Sequence, residues 1–336
     1  MQKFVPKRSQ LLTTEHNMYP FLRAAAQSKG SDIIKVEEWE SELLPADVLD
    51  RFPYEEHPLN IALVLRMADE LGLEADYALK EMADRVVPDL GVLKIYPRVN
   101  VRGRHLTFIN GMSANERHAA LANWRRLKMD EYHPTETPDA WIVTVINNRA
   151  DRVPRSQVFA RMLVQDLSAD RHFLIGTNLD GLQSYIDHAW QQRLESESFA
   201  DQDRQALLEA LDRYAHQLRV VTTDQALLDR TQAMLRGLGH TPPPGPDSLG
   251  EQDTLAQFCD AVEMDSDIAD GVLAHWQENA LELTQFRELR QALESGSGGY
   301  ERLQDVLSVW FKRRVVVLPN SHATGDEVIR DIVGDT

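Results

Sequence analysis

Cysteine is almost absent from these 336 residues: Cys259 stands alone, which excludes an internal disulfide framework and a thiolate-rich zinc centre and fits a reducing compartment. Long apolar runs are missing too. The densest stretches, residues 61–65 and 315–318, fall far short of the roughly 18 residues that a membrane span needs. The opening MQKFVPKRSQLLTTEHN has early basic residues but no apolar core, so no secretory signal is read and a cytoplasmic location is expected. Positive charge is scarce: 36 Lys and Arg face 53 Asp and Glu, a formal charge of −17 that argues against a nucleic-acid partner. The chain contains no Gly-x4-Gly-Lys-Ser/Thr phosphate loop, and its scattered histidines show no metal-ligand spacing, so no metal centre is assigned. Ser156 and Ser168 lack the glycines of a nucleophile elbow, which leaves hydrolase chemistry unsupported.

What is present is an ordinary globular composition, 43% hydrophobic, with enough chain for one to three domains. Short β-branched runs at Leu106–Ile109, Trp141–Ile146 and His172–Ile175 alternate with helical patterns over 114–128 and 155–165. A last strand at Arg314–Leu318 precedes a helix over 326–332. This alternation predicts an α/β fold with a parallel sheet. Near the start, residues 60–73 read as an amphipathic helix and 88–102 as a linker or hairpin, placing a domain boundary near residue 100.

The charge is unevenly spread. Residues 181–310 hold 23 acidic against 9 basic side chains, leaving a net of about −3 for the rest of the chain. This stretch reads as helices over 201–218, 224–238, 254–262, 267–280 and 300–311, with 218–222 an alternative sheet strand. Loops rich in proline or glycine fall at 240–250 and 294–299.

In an open parallel sheet, ligands sit at the carboxyl ends of strands. There the sequence VTVINNRADRVPRSQVFA releases Asn147, Asn148, Arg149, Asp151, Arg152 and Arg155 between a strand and a helix. Guanidinium groups suit phosphate or carboxylate ligands, because each donates two parallel hydrogen bonds and keeps its charge. The plainer reading is that Arg149 and Asp151 merely pair with each other or cap the helix. A second group, Asn110, Ser113, Asn115 and Glu116, has polar-ligand chemistry, or equally caps the following helix. A third strand end offers Asn320 and His322. Placement on successive strand ends of one sheet is what favours all three.

These residues also carry a likeness. FINGMSANERHAALANW, INNRADRVPRSQVFA, a strand ending LIGTN, and VLPNSHATGDEVI together resemble the poly-γ-glutamate synthase ligase subunit of the PgsB/CapB type, within the Mur ligase superfamily. PLNIALVLRMADELGL resembles the Mur-type Pro-x-Asn helix, here with Asn60 and Gly72. Order and spacing agree over about residues 1–180 and 312–336. Glu116 stands where the family has Asp, and Pro319 and Ala323 where it has glycines. The family's Gly-x-x-Gly-Lys-Ser/Thr loop does not occur, so by resemblance the chain begins inside the central ATPase domain.

The resemblance implies a Mur-ligase-like C-terminal Rossmann-type α/β domain over 101–336, with an acidic helical insertion at about 185–311. The end of a central ATPase domain would precede it over 1–100. It implies an ATP-dependent γ-glutamyl ligase using Mg²⁺, with Asn60 near adenine and Asn110, Asn115, Glu116, Asn147, Asn320 and His322 on nucleotide or substrate. Arg149, Asp151, Arg152 and Arg155 would serve at the reacting phosphoryl and carboxylate groups. Expected partners are glutamate or poly-γ-glutamate, a separate half carrying the phosphate loop, and membrane-embedded synthase subunits that would hold the chain at the inner face of the membrane. Without that half, no ATP turnover is expected. The competing expectation is a non-catalytic interaction protein that docks a partner through its acidic helices.

Overall fold

The structure, a computed structural model, describes residues 5–89, 91–101, 103–114, 116–243, 249–297, 299–320 and 322–335. The chain divides into two compact units, one of residues 1–97 and 107–113, the other of 98–106 and 114–336.

The first unit opens with β1 (Gln10–Thr13), α1 (Tyr19–Ser28) and β2 (Asp32–Lys35). The strands pair in parallel, Leu11 opposite Ile33 and Leu12 opposite Ile34, as strands joined through a crossover helix do. Val5, Ala25 and Ala26 pack with Leu11 and Ile33 into a small core. Four helices follow: α2 (Glu38–Glu42), α3 (Ala46–Leu49), α4 (Pro58–Glu70) and α5 (Ala75–Arg85). The α4 helix starts where Pro58 enters the first turn and the His57 ring accepts the Leu59 N–H. It stops just before Gly72, at φ +76, and buries Ile61, Ala62 and Ala68, the stripe that the periodicity marks.

Next come β3 (Lys94–Ile95), β4 (Val99–Val101), β5 (Arg104–Leu106) and β6 (Ile109–Asn110). In the first unit β3 pairs antiparallel with β6; in the second β4 and β5 form a hairpin. The expected parallel strand at Leu106–Ile109 is therefore corrected. Gly103, at φ +81, and the Asn100 side chain accepting its N–H close a tight local turn, so Leu106 is used in a hairpin and Ile109 in a separate pair.

The second unit continues with α6 (Arg117–Arg126), β7 (Val143–Asn148), α7 (Val153–Gln165), β8 (Arg171–Gly176) and α8 (Leu179–Ser196). Five further helices follow: α9 (Arg204–Gln217), α10 (Asp224–Gly237), α11 (Gln252–Ala261), α12 (Ser266–Ser295) and α13 (Tyr300–Arg314). The last elements are β9 (Val315–Val317) and α14 (Gly325–Asp335). The strands form one parallel sheet in the order β7-β8-β9. The fold is mixed α/β and mostly helical, with Phe173 and Leu174 of the central strand fully buried.

The acidic stretch is not an appendage. Leu207, Leu211 and Tyr214 of α9, Phe286 and Leu289 of α12, and Leu307 and Trp310 of α13 share one apolar cluster with Leu163 of α7, Leu174 of β8 and Ile186 of α8. Two expectations change here. Residues 218–222 form no strand: Arg219 takes a left-handed φ of +56, and the Val220 N–H returns to Ala215 O, ending α9 in a C-terminal cap. Helix α12 runs on past residue 280 because nothing breaks it before Gly296, at φ +73.

Candidate functional site

The carboxyl ends of β7, β8 and β9 lie at one end of the parallel sheet. Asn148, the last residue of β7, is buried there and its amide joins three segments. Its Nδ2 donates to Thr177 O at 2.7 Å and to Asn178 O at 3.2 Å, while its Oδ1 accepts the Ser156 hydroxyl at 2.7 Å. The Ala150 N–H donates to Thr177 Oγ1, locking the β7–α7 turn to the end of β8. Gly176, at φ +100, is required: a Cβ there would collide with Asn148 O and stand 2.5 Å from Asn147 Oδ1.

This frame carries the arginine turn. Asn147 and Arg149 are exposed. Arg149 donates to both carboxylate oxygens of Asp151, at 3.0 and 2.8 Å, and this hydrogen bonding holds the Asp151 carboxyl below its ordinary range. Arg152 is the N-cap of α7 with its Nε 3.9 Å from Asp151, and half-buried Arg155 lies in the first turn beside Pro154. The pairing expected of Arg149 is thus present, and Arg152 adds a longer contact to the same carboxylate. Cations at a helix N-terminus oppose the helix dipole, so the charges of Arg152 and Arg155 gain nothing from the start of α7. What such a turn favours is an anion, to which the guanidinium groups are attractive.

Asn320 and His322 follow β9 at the same sheet end, both exposed, with the Asn320 Oδ1 accepting the His322 N–H at 3.1 Å. Thr324 and Glu327 cap α14 reciprocally. The remaining candidates lie elsewhere. Glu116 is the exposed N-cap of α6 in the second unit. Asn110 closes β6 in the first unit, where its Oδ1 accepts the Met112 N–H. Asn60 is exposed on α4, also in the first unit, and donates to Glu56. Asn115 lies outside the described residues. Neither Asn110 nor Glu116 therefore stands on a strand end of the β7-β8-β9 sheet, which corrects the expected common edge.

The other end of the sheet holds a cluster that the motifs did not reveal. Asp170, just before β8, accepts from Arg219 Nε at 3.0 Å, Arg230 Nη2 at 2.5 Å and the Ile142 N–H at 2.7 Å. Burial alone would raise its carboxyl, but the two guanidinium groups prevail and hold it at about 2. Arg314, entering β9, pairs with Glu282, and Arg171 with Glu278. His172 is buried beside them with its Nδ1 2.7 Å from Thr144 Oγ1, and burial, reinforced by Arg314, pushes it down to about 4. One signal was available: Arg230 occupies an apolar-stripe position of α10, three residues after Leu227 and four before Met234.

Residues 95–242, which include the arginine turn, match the family profile described as "Poly-gamma-glutamate synthase CapB C-terminal domain". The chain is similar to PGA synthase CapB of Bacillus subtilis (strain 168), with 30% identity over 172 residues that make up 51% of this chain and 41% of the relative. It is similar too to the capsule biosynthesis protein CapB of Bacillus anthracis, 26% identical over 172 residues, or 51% and 35% of the two chains. The likeness to poly-γ-glutamate synthases of the PgsB/CapB type thus holds over about half of this chain, which spans less than half the length of these relatives. No solved structure matches.

Proposed function

We propose that the chain acts in the synthesis of poly-γ-glutamate or a related capsule polymer, as part of an ATP-dependent γ-glutamyl ligase. The observation that carries this reading is the arginine turn at the carboxyl end of β7, inside the segment that matches the CapB C-terminal domain. In this reading residues 101–336 are the Mur-ligase-like C-terminal domain and the first hundred residues belong to the central ATPase domain.

Bound ATP would supply the phosphoryl group that activates a glutamate carboxyl for attack by an incoming amine. The residues present fit the anionic side of that chemistry: Arg149, Arg152 and Arg155 frame a helix N-terminus where phosphoryl or carboxylate oxygens would be held. Asp151 keeps Arg149 oriented through its two hydrogen bonds. Asn147, Asn320 and His322 add neutral polar groups at the same sheet end, suited to orienting the polar substrate. Asn60, Asn110, Asn115 and Glu116 are proposed nucleotide or substrate contacts by resemblance. A donor set for Mg²⁺ is different: among the described residues no group of three or more His, Cys, Asp or Glu side chains comes together to hold a metal.

Turnover would require a phosphate cradle from another polypeptide segment, because arginines alone do not position a γ-phosphoryl for in-line transfer. Among the described residues no helix is long and apolar enough to cross a membrane, so attachment to membrane-embedded synthase subunits would run through protein contacts.

The test is ATP- and Mg²⁺-dependent ADP release with glutamate, by the chain alone and with the protein encoded immediately upstream. Activity in the mixture that falls at least tenfold with Arg149→Ala supports the reading. Ligation unchanged by Arg149→Ala counts against the arginine turn. Folded protein with no activity in either arm favours a non-catalytic interaction protein.

A further inference from the structure

The buried cluster at the amino end of the sheet has more positive than negative charge. Asp170 and Glu282 are the buried acids; Arg171, Arg219, Arg230 and Arg314 are the buried bases, with half-buried Glu278 against Arg171. In two of the guanidinium groups every nitrogen has a hydrogen-bond partner. Arg219 donates to Asp170, Tyr132 O and Ala140 O, and Arg314 to Glu282, Leu218 O and Trp310 O.

Arg230 differs. It is 3% exposed and donates only through Nη2 to Asp170; among the described residues its Nε and Nη1 are buried without a hydrogen-bond partner. Its guanidinium lies 3.5 Å over the Trp141 ring, which covers its face and leaves the in-plane N–H groups free. An unpaired buried donor costs about 1–3 kcal/mol, and more when charged, so two on one guanidinium call for a partner.

Beside this group is a cavity of about 10 Å³, lined by Trp141, Arg230, Thr231, His275, Trp276 and Asn279 among others. That is room for a single atom-sized occupant. The polar groups in its wall already have work. The Thr231 hydroxyl donates to Leu227 O, the Trp276 indole to Leu249 O and the Asn279 amide to His275 O. The donors of Thr231, Trp276 and Asn279 are thus engaged, whereas those on Arg230 Nε and Nη1 are left over.

We propose that this cavity is a binding site for one small monovalent anion, of halide size, held by the free N–H groups of Arg230. The anion offsets the excess buried positive charge and ties α10 to α12 at the base of the sheet. A neutral water fills the same volume but leaves the charge uncompensated, which makes water the competing occupant.

The experiment uses the whole chain. Crystals soaked in bromide should show an anomalous peak within about 3.5 Å of the Arg230 nitrogens. In solution, replacing sodium gluconate by sodium chloride at fixed ionic strength should raise the melting temperature saturably, by roughly 2–4 °C. Thr231→Leu, which fills the cavity while keeping Arg230, should remove that response; Arg230→Met should also remove it wherever it folds. An ordered water with no bromide signal, equal melting in the two salts, or a chloride response that survives Thr231→Leu overturns the proposal.

Discussion

Ser156 and Asn148, eight residues apart, are joined inside the protein: the Ser156 hydroxyl donates to Asn148 Oδ1 at 2.7 Å, and both side chains are buried. A strand end and the helix that follows it are thereby fixed at one distance, and the arginine turn is the segment between them. The turn's shape comes from this bond and from the two carbonyls that Asn148 binds after β8, rather than from the arginines themselves.

Removing that support should be felt before any chemistry is measured. Asn148→Ala removes the donor to Thr177 O and Asn178 O and leaves the Ser156 hydroxyl only its longer bond to Arg152 O. It should cost about 2–3 kcal/mol in urea unfolding, against about 1 kcal/mol for Ser156→Ala. Equal losses would show that Asn148 is held by something other than these bonds.

Two glycines make a matched pair. Gly176→Ala forces a Cβ onto the Asn148 backbone at φ +100 and should destabilise by more than about 2 kcal/mol. Gly271, inside α12, has nothing within 4 Å of an added Cβ, so Gly271→Ala should stabilise by roughly 0.5–1 kcal/mol. Thermal unfolding of the two variants should move in opposite directions.

Asp170→Asn strips the charge that faces Arg219 and Arg230, two guanidinium groups buried with it. A loss of roughly 3–5 kcal/mol is expected in chemical unfolding. The native carboxyl sits near 2, below its unfolded value of about 3.9. Its stabilisation is therefore complete above about pH 4 and is lost as pH falls toward 2.

His172 acts in a higher window. Its folded value near 4 lies below the unfolded value of about 6.5, so between these the unfolded chain takes up a proton that the native state refuses. Stability should drop as pH falls from 6.5 to 4, and His172→Gln should flatten that part of the curve. His133, also lowered, by burial and by His216 stacked 4.1 Å away, should leave a residual slope.

The exposed pair Arg149 and Asp151 should behave oppositely to the buried cluster. Either residue changed to alanine should leave the melting temperature within experimental error, because both groups are solvated. A loss of ligation with unchanged melting would separate a role in binding from one in folding.

How much of this was legible in the sequence depends on distance along the chain. Trp141–Ile146, His172–Ile175 and Arg314–Leu318 were readable because β-branched runs bounded by polar residues fit a buried parallel strand. Leu106–Ile109 has a composition that suits a strand, but an antiparallel hairpin and pair compete for it through turns that the run itself does not display. Helix α12 is legible beyond residue 280, since Leu283, Phe286, Leu289 and Leu293 keep three- and four-residue spacing and no breaker appears until Gly296. The arginine turn was visible as adjacent residues. The Asp170 cluster was not, since its partners stand 49 and 60 residues away and only folding brings them together.

The 30-residue helix α12 contributes Phe286, Leu289 and Leu293 to the main apolar cluster, Leu283 to a second and Val272 to a third. At 1.5 Å per residue it is a strut about 45 Å long, and those three pockets of packing share one backbone. A single proteolytic nick near its middle would unlatch all of them together, and their amide protons should exchange with solvent as one cooperative block rather than as three.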